Sequence, residues 1–340
     1  MRSYNQPINI LKAISAFLVV CIHVPFPGLV GDVIIAFARV AVPFFFYIAG
    51  FFFNKGSQQA ELYSISRKVK KLFKLLLLSE ILYFSFYVSL QIMSKGLSLS
   101  AVKTVISAEL IERYWANLRS YLPIFAPPFN GTFWFVGSLI AVYLLMYPIV
   151  KYNLQGITLV CSIFTLCVGF LLSRVHWECF YDLPVDRLLP SLPIPFFMLG
   201  YYFRKYILSF DTLHNRTCII VLCLGILLTI AEQFTGKYTL YIGSILILLP
   251  TMFLVTKYRN HIAVGRLACF MNHVGQNLSG DIYIFHMIVM AVVRIFFSHM
   301  LPSVENTRIY LWVLPILVCL VTTLCAHINH LIKKKLNLVR

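Results

Sequence analysis

Apolar runs of about twenty residues recur along this chain, and they restrict its fold more than any other feature. The hydrocarbon core of a bilayer is about 30 Å thick, and an α-helix of about 20 residues crosses it. Lipid cannot satisfy backbone N–H and C=O groups, so segments of this kind must be helical. Hydrophobic residues make up 60% of the chain and charged residues 12%, and the mean hydropathy is +0.82. We therefore predict an all-α, polytopic integral membrane protein.

The runs predict about ten transmembrane helices within a single domain that covers residues 1–340. Their bounds are 8–26, 33–53, 71–93, 133–150, 157–174, 188–207, 217–233, 238–256, 276–298 and 309–332. The longest connection, 94–132, mixes charged residues with Leu, Ile and Trp115, which predicts an interfacial amphipathic stretch. The first run has no small-residue cleavage site, so we expect no removable signal peptide.

The distribution of Lys and Arg predicts the orientation, because cytoplasmic loops are enriched in these residues. Most of the 29 Lys and Arg residues fall on one side if the N-terminus lies inside the cell. We therefore expect a multi-pass plasma-membrane protein with both termini in the cytoplasm. The net charge of +17 follows from this bias and favours contact with anionic membrane lipids, so it does not indicate nucleic-acid binding.

A polar stripe runs through the first predicted span. Asn9 and Lys12 are one helical turn apart, and His23 follows Lys12 by eleven residues, about three turns or roughly 16 Å. Ionisable groups inside a span are costly and usually line a cavity or pathway. Two alternatives stay open: Lys12 could extend to the headgroups, and His23 could bond a neighbouring carbonyl at the interface.

Two other polar features give less information. Glu80 lies in the third predicted span, where its charge would be costly unless it is protonated or paired with Lys12 or Arg294. Eight of the nine cysteines lie in or beside apolar segments, and only Cys179 is expected in an outer loop. Their spacing indicates neither a metal site nor a disulfide framework.

Several motifs occur in an order and spacing that resemble one family. The first two are Asn9-Ile-Leu-Lys12 followed by His23, and Arg39-Val-Ala-Val-Pro43-Phe-Phe-Phe-Tyr-Ile-Ala-Gly50. The others are the basic stretch 67–74, Phe133-Trp134-Phe135, Arg187 with Leu192-Pro-Ile-Pro-Phe-Phe-Met-Leu-Gly200, and Tyr283-Ile-Phe-His286. Together they resemble the membrane acyltransferase-3 family. Asn9, Lys12 and Ala49 stand where that family commonly has Asp, Arg and Ser, and Lys12 lacks the bidentate fork of arginine.

The resemblance implies O-acyl transfer in the modification of bacterial surface polysaccharides. The acyl group, usually acetyl, would pass from cytoplasmic acyl-coenzyme A to a hydroxyl of an extracytoplasmic glycan or glycolipid. Acyl-coenzyme A would be a co-substrate, so we expect no bound cofactor, and protein partners are not predicted. Direct transfer and a covalent acyl-histidine intermediate both stay open.

The matching positions also suggest roles for individual residues. His23 would be the general base, because imidazole titrates near neutral pH. A cation is needed beside the tetrahedral oxyanion, and the candidates are Arg39 and Arg187. The residues expected to bind acyl-coenzyme A are Asn9, Lys12, Arg67, Lys68 and Lys71. Those expected to bind the acceptor are Trp134 and His286.

Most of these residues have a structural alternative. Arg39 follows Asp32 by seven residues on nearly the same helical face, so the two could simply pair. The basic stretch 67–74 could be a lipid anchor, and Trp134 could belong to an interfacial aromatic belt. His286 could be a packing residue, since its neighbours are apolar.

Two other classes of protein fit the composition. A transporter or flippase would also have about ten spans and charges within the membrane. However, matching halves of the chain show no paired Gly or Pro interruptions, the usual indication of an inverted-repeat carrier. A structural or partner-binding membrane subunit would tolerate loss of His23 and Arg39 together, whereas an enzyme would not.

Overall fold

The computed structural model describes residues 6–95, 100, 110–121, 125–172, 174, 187–206, 214–238, 240–258, 265–305 and 307–336. Regular structure in these ranges is helical, with no β-strand among them. Eight helical segments of the described chain are long and apolar enough to cross a membrane. The predicted all-α, polytopic membrane fold is therefore confirmed.

Each predicted span overlaps helical structure, and the second overlaps two helices. The helices are α1 (Gln6–His23), α2 (Gly28–Ala38), α3 (Ala41–Phe53), α4 (Gln58–Lys95), α5 (Leu110–Tyr121), α6 (Trp134–Lys151), α7 (Gln155–Leu172), α8 (Pro193–Tyr206), α9 (Asn215–Thr235), α10 (Ile242–Lys257), α11 (Arg266–His273), α12 (Ser279–Met300) and α13 (Arg308–Lys335). A 3₁₀ turn, Gly131–Phe133, precedes α6, and a π-helix, Val274–Leu278, joins α11 to α12. With 14 and 16 residues, α8 and α10 are shorter than the about 20 residues of a perpendicular crossing.

The second predicted span is broken in the middle. Its two parts, α2 and α3, are separated by Arg39 and Val40, although together they are long enough for one crossing. Pro43 explains the break, because its ring has no N–H and would clash with the carbonyl of Arg39, four residues earlier. Arg39 still donates its backbone N–H to Ile35 O at 3.1 Å. A charged residue therefore stands at a helix junction inside this segment.

Helix α4 is longer than the predicted third span. Its 38 residues extend about 57 Å, well beyond the hydrocarbon thickness of about 30 Å. The basic stretch 67–74, which overlaps the start of the predicted span 71–93, is part of the same continuous helix. The predicted interfacial stretch 94–132 includes α5, while 96–99, 101–109 and 122–124 lie outside the described residues.

The chain forms two compact units, residues 1–45 with 207–340 and residues 46–206. In the first unit, α1 contacts α2, α10, α11, the π-helix, α12 and α13. The core around α1 is made of small and branched side chains, including Ala13, Val20, Val274, Ile282 and Val318. Helix α1 is thus surrounded by protein on several sides.

A glycine allows a close approach between two helical segments of the first unit. A Cβ atom on Gly275, in the π-helix, would lie 1.7 Å from the carbonyl oxygen of Asn9. Only glycine fits there, because the two backbones are in contact. The π-helix therefore packs directly on α1 beside the first polar residue of the stripe.

Reciprocal glycine contacts join α3 and α8 in the second unit. A Cβ on Gly50 would lie 1.9 Å from the carbonyl oxygen of Phe197, and one on Gly200 would lie 1.9 Å from that of Tyr47. Small residues that let two helices approach closely are typical of membrane interfaces. This explains two glycines of the family-like motifs as packing residues. Helix α6 packs on both α4 and α8 in the same unit.

Candidate functional site

The C-terminal end of α1 brings two imidazoles together. The rings of His23 and His286 have centroids 5.2 Å apart and planes inclined by 42°. His286 is fully buried, and its Nδ1 lies 2.8 Å from the carbonyl oxygen of Tyr283. A carbonyl only accepts, so Nδ1 carries the proton and Nε2 keeps its lone pair. That Nε2 atom is buried without a hydrogen-bond partner among the residues that the structure describes.

The other end of the stripe makes a second polar contact with the same neighbouring segment. Asn9 donates its Nδ2 hydrogen to Oδ1 of Asn272 at 3.0 Å. Asn272 belongs to α11 and is 7% exposed. This hydrogen bond pairs the two amides between the helices and fixes their relative orientation. The sequence analysis did not predict a role for Asn272. The only indication in the sequence is that Asn272 and His273 are two consecutive polar residues beside apolar ones.

The two contacts define how α1 lies against α11–α12. Asn9 and His23 are fourteen residues apart, and so are Asn272 and His286. Asn9 contacts Asn272, and fourteen residues later His23 contacts His286. The two segments therefore run parallel over about 21 Å. Both ends of the polar stripe therefore face protein. Lys12 lies between these ends and is partly buried.

Arg39 lies near a different group of the first unit. The positive charge of Arg39 interacts electrostatically with the phenol of Tyr241, which directly precedes α10 and is almost fully buried. Asp32, the partner proposed from the sequence, forms an ion pair with Lys237 at 2.8 Å. That pair is largely exposed, so it contributes little to stability.

In the second unit, two predicted site residues are neighbours. The guanidinium carbon of Arg187 lies 5.9 Å from the ring centroid of Trp134, a cation–π contact. Trp134 begins α6, and its ring lies 6.2 Å from that of Phe46. Trp134 thus lies close to both a cation and another aromatic ring.

The three cations predicted from the basic stretch have different surroundings. Lys68 is partly buried, donates to the hydroxyl of Tyr143 at 3.2 Å and lies over the rings of Tyr143 and Phe53. Arg67 is exposed and stacks on Tyr63, and Lys71 is also exposed. Only Lys68 of these three is enclosed by side chains.

Comparison with known proteins identifies the family. The family model described as an acyltransferase domain, acyltransferase-3, matches residues 5–330. The chain belongs to the acyltransferase-3 family. No curated protein and no solved structure matches it. The resemblance drawn from the motifs is confirmed, and the matched region includes every predicted site residue.

Family membership supports acyl transfer as the activity of this acyltransferase. In the described ranges, no group of three or more His, Cys, Asp and Glu side chains is arranged to hold a metal ion. Cys179, the thiol expected in an outer loop, lies outside those ranges. The polar groups of the stripe on α1 and of its partners in the first unit are imidazole, amide and amine groups, which suit proton transfer and anion binding.

Glu80, unexplained from the sequence, has a structural partner in the acyltransferase. Its Oε1 accepts the backbone N–H of Phe129 at 2.8 Å. The next residue, Asn130, is 4% exposed and accepts the N–H of Thr132 at the start of the 3₁₀ turn. Glu80 therefore anchors the loop that leads into Trp134. Its partner is a main-chain group, so no side-chain pattern could have indicated it.

Proposed function

We propose that this acyltransferase moves an acyl group, acetyl in the simplest case, from cytoplasmic acyl-coenzyme A to a hydroxyl of an extracytoplasmic glycan or glycolipid. It would act in the plasma membrane with both termini in the cytoplasm. The observation that carries the proposal is the pair His23–His286 at one end of a polar stripe that contacts protein at both ends.

The reaction needs a base and a stabilised oxyanion. The acceptor hydroxyl would lose its proton to His23 as its oxygen attacks the thioester carbonyl, giving a tetrahedral oxyanion. Collapse of this intermediate breaks the carbon–sulfur bond, and the imidazolium returns the proton to the departing thiolate. The Nε2 lone pair of His286, beside His23, would accept a hydrogen bond that orients the base or the acceptor hydroxyl.

The opposite end of the stripe would hold the donor. Lys12 lies about 16 Å from His23 along α1, and its ammonium group would attract coenzyme A phosphates. Asn9, held by Asn272, would orient the donor nearby. In the second unit, Arg67, Lys68 and Lys71 are also proposed to bind coenzyme A, and Lys68 is the one enclosed by side chains.

The two arginines would have separate tasks. Arg39, at the helix junction of the first unit, is proposed to stabilise the oxyanion. Arg187, with Trp134, is proposed to bind the acceptor or its negative charge. Stacking of a sugar ring on the tryptophan would be consistent with a glycan acceptor.

The test is acyl turnover by the purified protein. Detergent-purified wild type is given radiolabelled acetyl-coenzyme A and candidate glycans, and is compared with His23→Ala and Lys12→Ala. We expect labelled glycan from wild type, a loss of about 100-fold or more in His23→Ala, and a raised KM for the donor in Lys12→Ala.

His299→Ala is the matched control, because His299 is an exposed histidine on the same helix as His286. It should label glycan as the wild type does. Unchanged labelling in both His23→Ala and Lys12→Ala would refute the site. With the protein reconstituted into vesicles, movement of the glycan across the membrane without acetyl-coenzyme A consumption would instead show a carrier.

A further inference from the structure

The first unit contains a long apolar groove that the proposed reaction does not use. It has a volume of about 630 Å³ and lies between α1, the α11–π segment and α13. Phe17, Leu278 and Leu320 are representative of its walls. On α13 the lining extends from Pro315 to His327, twelve residues or about 18 Å. This length is close to the about 15 Å depth of one leaflet's hydrocarbon.

One end of the groove is polar. His273 and His327 line it, and their ring centroids are 5.7 Å apart, while His330 lies 5.9 Å from His273. Nδ1 of His273 is 3.1 Å from the side-chain amide nitrogen of Asn277. The other ring nitrogen of His273, Nε2, is buried and has no hydrogen-bond partner within the described part of the chain. A buried, unsatisfied nitrogen is costly, so a polar ligand atom at this end would remove a penalty.

The charge beyond this end is positive. Helix α13 continues from His330 into Lys333, Lys334 and Lys335. Lys333 pairs with Asp281 at 2.7 Å, whereas Lys334 and Lys335 are exposed. An anionic headgroup would be attracted to this cluster, while an alkyl chain would be accommodated by the apolar walls.

The groove is separate from the His23 pair. His23 is not part of its lining, and Cys21, which is, lies about 200° around α1 from His23. Several apolar lining residues are also widely exposed, including Leu320 at 64%. These positions suit a ligand that enters sideways from the lipid.

We propose that this groove binds one anionic phospholipid, with an acyl chain along α13 and the phosphate against His273, His327 and His330. Lysines 334 and 335 would lie at the level of neighbouring headgroups. The lipid would be a resident ligand that fills the space between α1 and α13, distinct from the donor and acceptor of the reaction.

The test measures lipid binding to the full chain. Delipidated protein in detergent is titrated with phosphatidylglycerol or phosphatidylcholine, and bound lipid is counted by native mass spectrometry. We expect one tightly bound phosphatidylglycerol and weaker binding of phosphatidylcholine. His273→Ala should weaken phosphatidylglycerol binding about tenfold, because one hydrogen bond to a charged group is lost. Leu320→Trp should fill the groove and weaken binding of both lipids.

Leu311→Trp is the control for bulk, because Leu311 is exposed on the opposite face of α13. His299→Ala is the control for loss of an imidazole. Both should bind phosphatidylglycerol as the wild type does. Equal affinity for the two lipids, or wild-type binding by Leu320→Trp, would overturn the proposal. Leu320 is exposed, so this variant is expected to fold even if His273→Ala does not.

Discussion

At the scale of single residues, the two histidines of the site differ in their surroundings. His286 is fully buried, and its proton is held by the carbonyl of Tyr283, so its orientation is set by the fold. His23 lies at the last residue of α1 and is only partly buried. The more accessible ring suits the base that meets substrate, and the enclosed ring suits a fixed neighbour.

The role of His286 predicts a graded response to substitution. His286→Ala should lower acyl turnover about 10- to 100-fold, because the acceptor atom beside His23 is lost. His286→Gln can present a carbonyl oxygen near the former Nε2, so it should recover part of the turnover. The measurement is kcat for labelled acetyl transfer in both variants. Equal loss in alanine and glutamine would indicate a packing residue instead.

Glu80 offers a second test at this scale. Glu80→Gln keeps an oxygen that accepts the N–H of Phe129, whereas Glu80→Ala leaves that donor unsatisfied at a cost of about 1–3 kcal/mol. We expect Glu80→Gln to unfold at nearly the wild-type temperature and Glu80→Ala to unfold earlier. Thermal unfolding in detergent distinguishes them. A larger loss in Glu80→Gln than in Glu80→Ala would mean that the charge itself is required.

At the scale of helices, close approaches decide which polar residues meet. The contact of the π-helix with α1 at Gly275 holds Asn9 next to Asn272. Such one-turn π-helices are frequent at functional sites. The approach of α3 to α8 through Gly50 and Gly200 has the same physical basis in the second unit.

A methyl group at the first of these contacts should separate the helices. In Gly275→Ala the added carbon meets the carbonyl oxygen of Asn9, and overpacking of this kind costs about 1–3 kcal/mol. We expect earlier thermal unfolding and a raised KM for acetyl-coenzyme A. Gly280→Ala, with nothing within 4 Å of the new carbon, should leave both unchanged or slightly raise stability. Similar behaviour of the two variants would contradict the close contact.

The helices themselves could be predicted from the sequence, but their pairings could not. The hydrophobic runs overlap all eight helical segments of the described chain that could cross a membrane, because lipid imposes one length and one backbone structure. The break at Arg39 within the predicted span 33–53 was not predicted, although Pro43 gives its physical reason. In contrast, Asn9 and Asn272 are 263 residues apart, and no periodicity connects them. Likewise, the sequence shows only that His286 has apolar neighbours. Its contact with His23 could not be predicted, because that contact depends on the parallel packing of α1 and α12.

At the scale of the whole molecule, two compact units contain different parts of the predicted site. Asn9, Lys12, His23, Arg39 and His286 belong to the first unit. The second unit contains the other five, which are Arg67, Lys68, Lys71, Trp134 and Arg187. Motifs from both units were needed for the resemblance, and the family match extends across both.

The predicted orientation can be tested on the intact cell. In a cysteine-free background, Ser303→Cys lies in the exposed turn between α12 and α13, and Ser57→Cys in the exposed turn before α4. The charge distribution predicts that a membrane-impermeant maleimide labels position 303 in intact cells and position 57 only after permeabilisation. The opposite labelling pattern would invert the topology and move the donor to the wrong side.

The matched spacing of the Asn9–Asn272 and His23–His286 contacts has a mechanical consequence. If α1 slid along α11–α12 by one residue's rise, both polar pairs would go out of register together, since neither can be kept while the other shifts. Insertion of a single residue between Asn9 and His23 would instead preserve one pair and turn the other by about 100°. The same fourteen-residue separation thus occurs on α1 and on α11–α12. A change of this separation in one of the two segments alone would break one of the two polar contacts.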